Sequence, residues 1–336
     1  MSSTDPLRVG VIGVGSMGQN HARVYGELPD ADLVGVADAD ADRASEIAAR
    51  HDTRAMDRRE LIEATEAVSI AVPTAHHYST ARECIAAGVH VLVEKPFVAE
   101  PSEGRELVAL AEEHDVTIQV GHVERFNPAV SAVIDILDDR EIIALDARRL
   151  GSPRERDIKD GAVMDLMIHD IDVMLSCVDE DVDLVNAVGA REGRYVDAQV
   201  RFGGGTVASL TASRVTQRKI RELTITARDC WIVVDYIDRS VEIHRQSPER
   251  YEPSDDARHT KFHSRVWRRG IESNEGIIEQ PMVGGGEPLK NELAAFVECV
   301  RTGGEPVVTA DDGLRALEIA RTIDRLATDE TREVDA

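Results

Sequence analysis

Leu7-Arg8-Val9-Gly10-Val11-Ile12-Gly13-Val14-Gly15-Ser16-Met17-Gly18 decides how this chain folds. Its first six residues alternate and then turn apolar, the pattern of a buried strand. G-x-G-x-x-G follows at once, and a helical run from Gln19 to Leu28 follows the glycines. Gly13 permits the tight turn. Gly15 lets the backbone approach a pyrophosphate, and Gly18 lets helix pack on strand. The helix-terminal N–H groups around Ser16, Met17 and Gly18, with the helix dipole, favour phosphate charge. A second strand, Leu33-Val34-Gly35-Val36-Ala37, ends at Asp38, 20 residues after Gly18. A carboxylate there accepts hydrogen bonds from adenosine ribose hydroxyls and repels a 2′-phosphate. The expected cofactor is therefore NAD, in preference to NADP.

Moving outward, strands and helices keep alternating. Helices are expected at Ala41–His51 and Arg58–Ala64. A strand, Ala67–Val72, stops at Pro73, and a helix, Thr80–Ala87, closes at Gly88 as left-handed caps require. Then comes the apolar run Val91-Leu92-Val93, ending abruptly in Glu94-Lys95-Pro96. Helix Ser102–His114 and strand Val116–Val120 follow, and Gly121-His122 closes the series. Such alternation means a parallel, doubly wound sheet, with ligands bound outside the carboxyl ends of its strands. Those ends collect Gly13, Asp38, Pro73 with His76 and His77, Lys95 and His122. Only five of the 39 basic residues are lysine, and a buried strand delivers one of them to its tip. For each histidine alone, a structural role and a functional one both fit.

After Phe126-Asn127-Pro128 the texture changes. A helix over Ala129–Leu137 and a strand over Ile142–Leu150 lead to a glycine-proline loop. The run Val163–Val178 then reads as a helix whose core face is Val163, Leu166, Met167, Ile171, Met174 and Leu175. Asp165, His169 and Asp172 fall at i, i+4 and i+7, one polar stripe on its other side. Two readings fit that stripe: a solvated face, or a carboxylate that fixes the tautomer of a basic histidine. From Leu184 strands come in series without helices between them, which implies an antiparallel sheet. One of its faces is expected to carry Trp231, Val233 and Tyr236 into an oligomer interface. Arg245–Gly286 reads as long and irregular. It contains a basic island, Arg258–Arg269, which is either a solvated charged face or an anion site. Helices over Leu289–Arg301 and Ala310–Ala327 and a polar tail, Thr328–Ala336, complete the chain.

At 336 residues the chain is long for one core. The expected division is a dinucleotide-binding domain over 1–123 and a substrate-binding and oligomerisation domain over 124–336. A net charge of −24 argues against nucleic acid or an anionic membrane as partner. No stretch is apolar enough to span a bilayer, and the first residues lack the features of a signal peptide, so the expected location is cytoplasmic. The four cysteines, Cys84, Cys177, Cys230 and Cys299, have no metal or redox spacing, and no metal site is expected. Abundant Asp and Arg beside scarce Lys fit a salt-adapted surface of the halophilic archaeal kind; an acidic mesophilic enzyme is the other reading.

Together these features resemble the Gfo/Idh/MocA oxidoreductase family over nearly the whole chain. The resemblance rests on Gly13, Gly15 and Gly18, on Val72-Pro73 with His77 downstream, on Glu94-Lys95-Pro96, and on Asp165-x-x-x-His169 with Asp172. It implies a Rossmann domain, doubly wound around a parallel sheet, followed by an α/β domain with an open, mainly antiparallel sheet. It implies a catalytic set of Lys95, Asp165 and His169, and a cis bond at Lys95-Pro96. It also implies dinucleotide contacts from Glu94 and Lys95 beside Gly13, Gly15, Ser16, Met17, Gly18, Asp38, Pro73, His77 and His122. Met167 stands where many members have glycine, a change expected to narrow the pocket. Gly121–Pro128 and Glu287–Leu293 resemble members that oxidise UDP-N-acetylhexosamines, or their uronic acids, at the C3 hydroxyl. The implied substrate contacts are Lys95, Arg125, Asn127, Asp165 and His169. The implied assembly is a homodimer or homotetramer. A polyol or inositol dehydrogenase and a non-catalytic dinucleotide sensor are the alternatives. The salt-adapted reading predicts a fold markedly more stable in molar KCl than in dilute buffer. Equal denaturation midpoints in the two would refute it.

Overall fold

The computed structural model describes residues 5–137, 140–152, 161–246, 260–263 and 276–328. It separates into two compact units, Met1–Phe126 with Glu287–Glu318, and Asn127–Gly286 with Ile319–Ala336. In the first, β1 (Leu7–Ile12), α1 (Gly18–Glu27), β2 (Ala31–Ala37), α2 (Ala41–Arg50), β3 (Arg54–Ala55), α3 (Arg58–Ala64) and β4 (Ala67–Ile70) are followed by α4 (His77–Ala86), β5 (His90–Glu94), α5 (Pro101–His114) and β6 (Ile118–Gly121). All six strands are parallel, in the order β3-β2-β1-β4-β5-β6. Strand order reverses between β1 and β4, the place where doubly wound sheets open a ligand crevice.

Local chemistry sets the helix starts. Asp40 and Asp57 accept the third backbone N–H of α2 and α3, and Glu100 with Glu103 forms a capping box on α5. The helix α1 has no such cap and no acid in its first turn.

The sequence reading put all residues beyond 123 in the second domain, but the packing differs. A C-terminal helix, Pro288–Thr302, sends Leu289, Leu293, Phe296 and Val297 into the same buried cluster as Val9, Val11, Val24 and Tyr25. Its apolar face thus completes the first core.

The second unit contains α6 (Pro128–Leu137), β7 (Ile142–Leu150), α7 (Ile168–Cys177), β8 (Val182–Ala190), β9 (Tyr195–Phe202), β10 (Val207–Ser213), β11 (Ile220–Ala227), β12 (Trp231–Asp235), β13 (Ser240–Gln246), β14 (Thr260–His263) and β15 (Gly276–Pro281). Pro288–Thr302 is then α8, and α9 (Ala310–Thr328) divides between the units. Nine strands run β14-β15-β13-β12-β11-β7-β10-β9-β8, antiparallel except for the parallel pair β7–β10. Strands β14 and β15 occupy part of the stretch expected to be irregular. Of the basic island, only 260–263 is described, as β14; Arg258, His259 and 264–269, with Arg265, Arg268 and Arg269 among them, lie outside the described residues, as does the tail beyond 328.

Alternation along the strands makes one buried face, with Val196, Ala198, Val200, Leu210, Leu223, Ile225, Ile232 and Val234 pointing inward. Helices α6 and α7 pack against this sheet. Trp231 and Val233 point to the other face, and Trp231 lies 4.9 Å from the His244 ring. Tyr236, expected beside them, is buried. An odd and an even position along β12 and its end face opposite ways, so the three cannot share a surface.

Arg149 on β7 also points inward, where its Nε and Nη2 donate to the two carboxylate oxygens of Asp170 on α7, each at 2.8 Å. Both side chains are 4% exposed, and the guanidinium carbon sits 5.3 Å from the centre of the Tyr236 ring. Removing one member strands the other charge in the core, so Arg149→Ala is expected to cost about 3–5 kcal/mol in urea unfolding. Arg149→Met with Asp170→Leu should be much closer to the parent.

Candidate active site

Gly13 turns the chain with φ +88° at the end of β1, its N–H bonded to the Ala37 carbonyl at 2.7 Å. A Cβ on Gly18 would lie 1.8 Å from the Gly13 oxygen, whereas nothing lies within 4 Å of one built on Gly15. The turn is therefore closed on its inner side and open along Gly15, and Ser16 is exposed. With no side-chain cap and no acid in its first turn, this end of α1 fits a pyrophosphate. Asp38 stands at the tip of β2 and is pinned there. One carboxylate oxygen accepts the Val14 N–H at 2.8 Å and the other the Asp40 N–H at 2.9 Å. Each oxygen keeps acceptor capacity for a ribose hydroxyl. Arg43 approaches the same carboxylate at 3.5 Å.

Two histidines that the sequence placed toward a cofactor are buried. His77 is 1% exposed. Its Nδ1 lies 2.9 Å from the Pro96 carbonyl and its Nε2 2.9 Å from the Val72 carbonyl. Its ring thus lies between the chain after β4 and the chain after β5, with each nitrogen facing a backbone carbonyl. Pro73, next to Val72, is exposed. His122, at the tip of β6, is 0% exposed, and neither ring nitrogen has a hydrogen-bond partner among the described residues. Burial, with the charges of Arg125 and Lys95, pushes its imidazole down to about 3.

Lys95 follows the last residue of β5 and is half-buried, and the Lys95-Pro96 bond is cis as expected. Glu94 before it is 7% exposed. Its Oε1 lies 2.9 Å from the Nε2 of His21, and its Oε2 accepts the Lys95 N–H at 3.2 Å. Burial alone would raise this carboxyl; the His21 hydrogen bond and the Lys95 charge outweigh it and hold Glu94 below the usual carboxylate range. His21 is not among the residues expected at the site from the sequence. Its signal is a histidine on the stripe Gly18, His21, Ala22, Tyr25, where the periodicity calls for apolar side chains.

The expected substrate contacts Arg125 and Asn127 are engaged internally. Arg125 donates to the Val307 carbonyl at 3.3 Å and lies 3.5 Å from Asp312. Asn127 is 3% exposed; its amide donates to the Tyr236 carbonyl, and its oxygen accepts the Ala129 N–H at the start of α6.

In the second unit, the expected helix is divided. Val163–Met167 is π-helical, with Ile168 N–H reaching the Val163 carbonyl, and α7 begins after it. The wider turn shifts the phase of every later side chain. Asp172 is consequently 1% exposed rather than on a polar stripe, and Leu166 and Leu175 are only half-buried. Met167, expected to narrow a pocket, is 1% exposed in the core. Asp165 and His169 are half-buried. Asp165 forms an ion pair at 2.5 Å with Arg214, a residue absent from the sequence reading and unmarked by any local pattern.

Residues 7–122 match the family described as "Oxidoreductase family, NAD-binding Rossmann fold", and 145–233 match "GFO/IDH/MocA C-terminal domain". The chain belongs to the Gfo/Idh/MocA oxidoreductase family. It is 35% identical over 248 residues to the UDP-N-acetylglucosamine 3-dehydrogenase of Acidithiobacillus ferrooxidans, covering 71% of this chain and 77% of that protein. A crystal structure of a UDP-N-acetylglucosamine 3-dehydrogenase from that organism superposes with a TM-score of 0.87 at 28% identity, covering 97% and 99% of the two chains. An inositol 2-dehydrogenase of Rhizobium meliloti is 25% identical over 328 residues, 94% of each chain. The protein is thus an oxidoreductase of CH–OH groups with a Rossmann domain for a nicotinamide dinucleotide.

The buried His122 gives the fold a pH dependence. An unfolded histidine takes up its proton near 6.5, but the folded one does so only near 3. Its contribution is complete above the unfolded value and is lost as pH falls, at about 1.4 kcal/mol per unit. In urea unfolding between pH 6 and 4.5, His122→Phe should lose stability less steeply than the parent. Parallel slopes would refute a neutral buried imidazole.

Proposed function

We propose that the protein oxidises a secondary hydroxyl, the C3 hydroxyl, of a nucleotide sugar such as UDP-N-acetylglucosamine or its uronic acid, with NAD as acceptor. The observation that carries this reading is the 35% identity to a UDP-N-acetylglucosamine 3-dehydrogenase. The Gly121–Pro128 and Glu287–Leu293 stretches, which resemble members acting on UDP-sugars, support it. Preference for NAD is supported by the anchored Asp38 carboxylate, whose charge repels a 2′-phosphate.

Bound at the open side of the glycine turn, the dinucleotide supplies a hydride acceptor. The remaining tasks fall to side chains. Lys95 stabilises the alkoxide that develops as the hydroxyl proton leaves, an interaction strengthened where water is excluded. His169 takes that proton, directly or by relay through Lys95. Asp165 orients His169. The basic island 258–269 supplies charge for the substrate diphosphate, and the face bearing Trp231 and Val233 serves a homodimer or homotetramer. The 94% coverage of an inositol dehydrogenase favours a second reading, in which the substrate is a cyclic polyol and no diphosphate site is used.

Reduction of NAD should be tested with UDP-N-acetylglucosamine, its uronic acid, myo-inositol and glucose in molar KCl. The UDP-sugars are expected to give the highest kcat/KM; a clear preference for myo-inositol would replace the first reading with the second. Lys95→Ala should bind dinucleotide nearly as the parent does while kcat falls by about 10²–10⁴-fold. Unchanged turnover would remove Lys95 from the chemistry.

A further inference from the structure

We propose that His21 is a positioning residue which, through Glu94, sets Lys95 for its chemistry. This rests on the reading of Lys95 as the group that stabilises the alkoxide.

A histidine at a core position of α1 needs a reason to be there. His21 is 0% exposed, between the buried Gly18, Ala22, Val24 and Tyr25. Burying an imidazole costs free energy unless its polar atoms are used. Its Nε2 is used, 2.9 Å from Glu94. An ionised carboxylate only accepts, so the imidazole is the donor. The second Glu94 oxygen takes the Lys95 N–H. Two hydrogen bonds in series therefore run from the helix behind the glycine turn to the peptide of Lys95.

The surroundings leave this carboxylate little freedom. A Cβ on Gly121 of β6 would lie 3.0 Å from the Glu94 Cα and 3.3 Å from its carboxyl carbon. A side chain on Gly121 would thus press on both strand and carboxylate, and one of them would have to give by a few tenths of an ångström. Beyond Lys95, His77 holds the Pro96 and Phe97 carbonyls. The backbone of Lys95 is consequently fixed by a histidine on either side in sequence. One histidine comes from α1 and the other from the start of α4. The Lys95 charge lies close enough to help keep that carboxylate ionised against its own burial.

His21 also links two tasks. The helix that carries it begins at the turn expected to receive the pyrophosphate. A displacement of that helix would reach Lys95 through these two hydrogen bonds in series. A residue that only filled core volume would be replaceable by leucine. A residue that positions Lys95 through its Nε2–H requires a donor at that point, which glutamine can supply and leucine cannot.

The test compares His21→Leu, His21→Gln and Glu94→Gln in the full chain. Lysine scarcity makes a direct readout possible: competitive acetylation of the folded protein, followed by peptide mass spectrometry, with Lys219 and Lys290 as internal standards. In His21→Leu, the acetylation of Lys95 relative to those standards should change several-fold, and His21→Gln should return it to the parental value. With an active substrate, kcat of His21→Leu should fall by up to about a hundredfold while the KM for dinucleotide stays near the parental one. Unchanged Lys95 labelling in His21→Leu, or equal effects in the leucine and glutamine variants, would overturn the proposal. If His21→Leu does not fold, Glu94→Gln carries the comparison, and parental labelling there would overturn it too. The labelling needs no turnover. A protein inactive on every sugar tested would therefore undo the proposed function and leave this comparison standing.

Discussion

The carbonyl oxygen of Gly13 occupies the place where residue 18 would carry its side chain, 1.8 Å from an ideal Cβ. No residue but glycine can stand there, and much of the first unit follows from that contact. It lets α1 start just beyond the tip of β1, with no side-chain cap on its first turn. It also fixes the rotation of the helix. With residue 18 against the turn, the 3.6-residue period brings 21, 22 and 25 to the sheet. Tyr25 then reaches Ser69 on β4, and His21 reaches Glu94 on β5. The polar contacts under the strand tips are thus set by the phase of one helix.

The parallel sheet was legible because its signals are local: apolar runs, breakers, and glycines at defined offsets. Strand β1, helices α2 and α3, and the strand leading to Lys95 all announce themselves within ten residues. What was not legible depends on partners far along the chain. His77 reads as a ligand-facing histidine until the carbonyls of Val72 and Pro96 are in place around it. Arg125 reads as a substrate contact until Val307 and Asp312 arrive. The π-helical turn is a different case. Apolar spacing over Val163–Val178 is compatible with an uninterrupted helix, and one extra residue in a turn changes which side chains are buried without changing the composition. Asp172, Leu166 and Leu175 fall on other faces than expected for that reason, and β15 is not legible locally because its pairing with β13 spans a long connection, with β14 in turn paired to β15.

The interior of this acidic chain manages charge with arginine. A guanidinium presents a rigid fork that meets both oxygens of a carboxylate, and it is less strongly hydrated than an ammonium. Arg149 uses that fork on Asp170, and Arg214 lies against Asp165. The exposed pairs along helices, such as Arg23 with Glu27 and Arg59 with Glu63, contribute little by comparison. Against this background the lysine at position 95 fits the chemical role proposed for it. An arginine there would stay charged and keep its protons. A lysine offers a compact charge on a flexible stem, and it can pass a proton on.

The contact between Asp165 and Arg214 bears on how a proton could leave the substrate. A bare carboxylate strongly favours the charged form of a neighbouring base, because the opposite charge stabilises it. A carboxylate already neutralised by a guanidinium at 2.5 Å does so less. In the reaction proposed above, Asp165 is therefore assigned to orienting His169 rather than to raising its basicity. In a reaction that separates a proton from an alkoxide, the stabilisation forgone at the base has to be recovered at the oxygen. In the proposed mechanism that electrostatic work falls to Lys95, whose backbone N–H donates to Glu94.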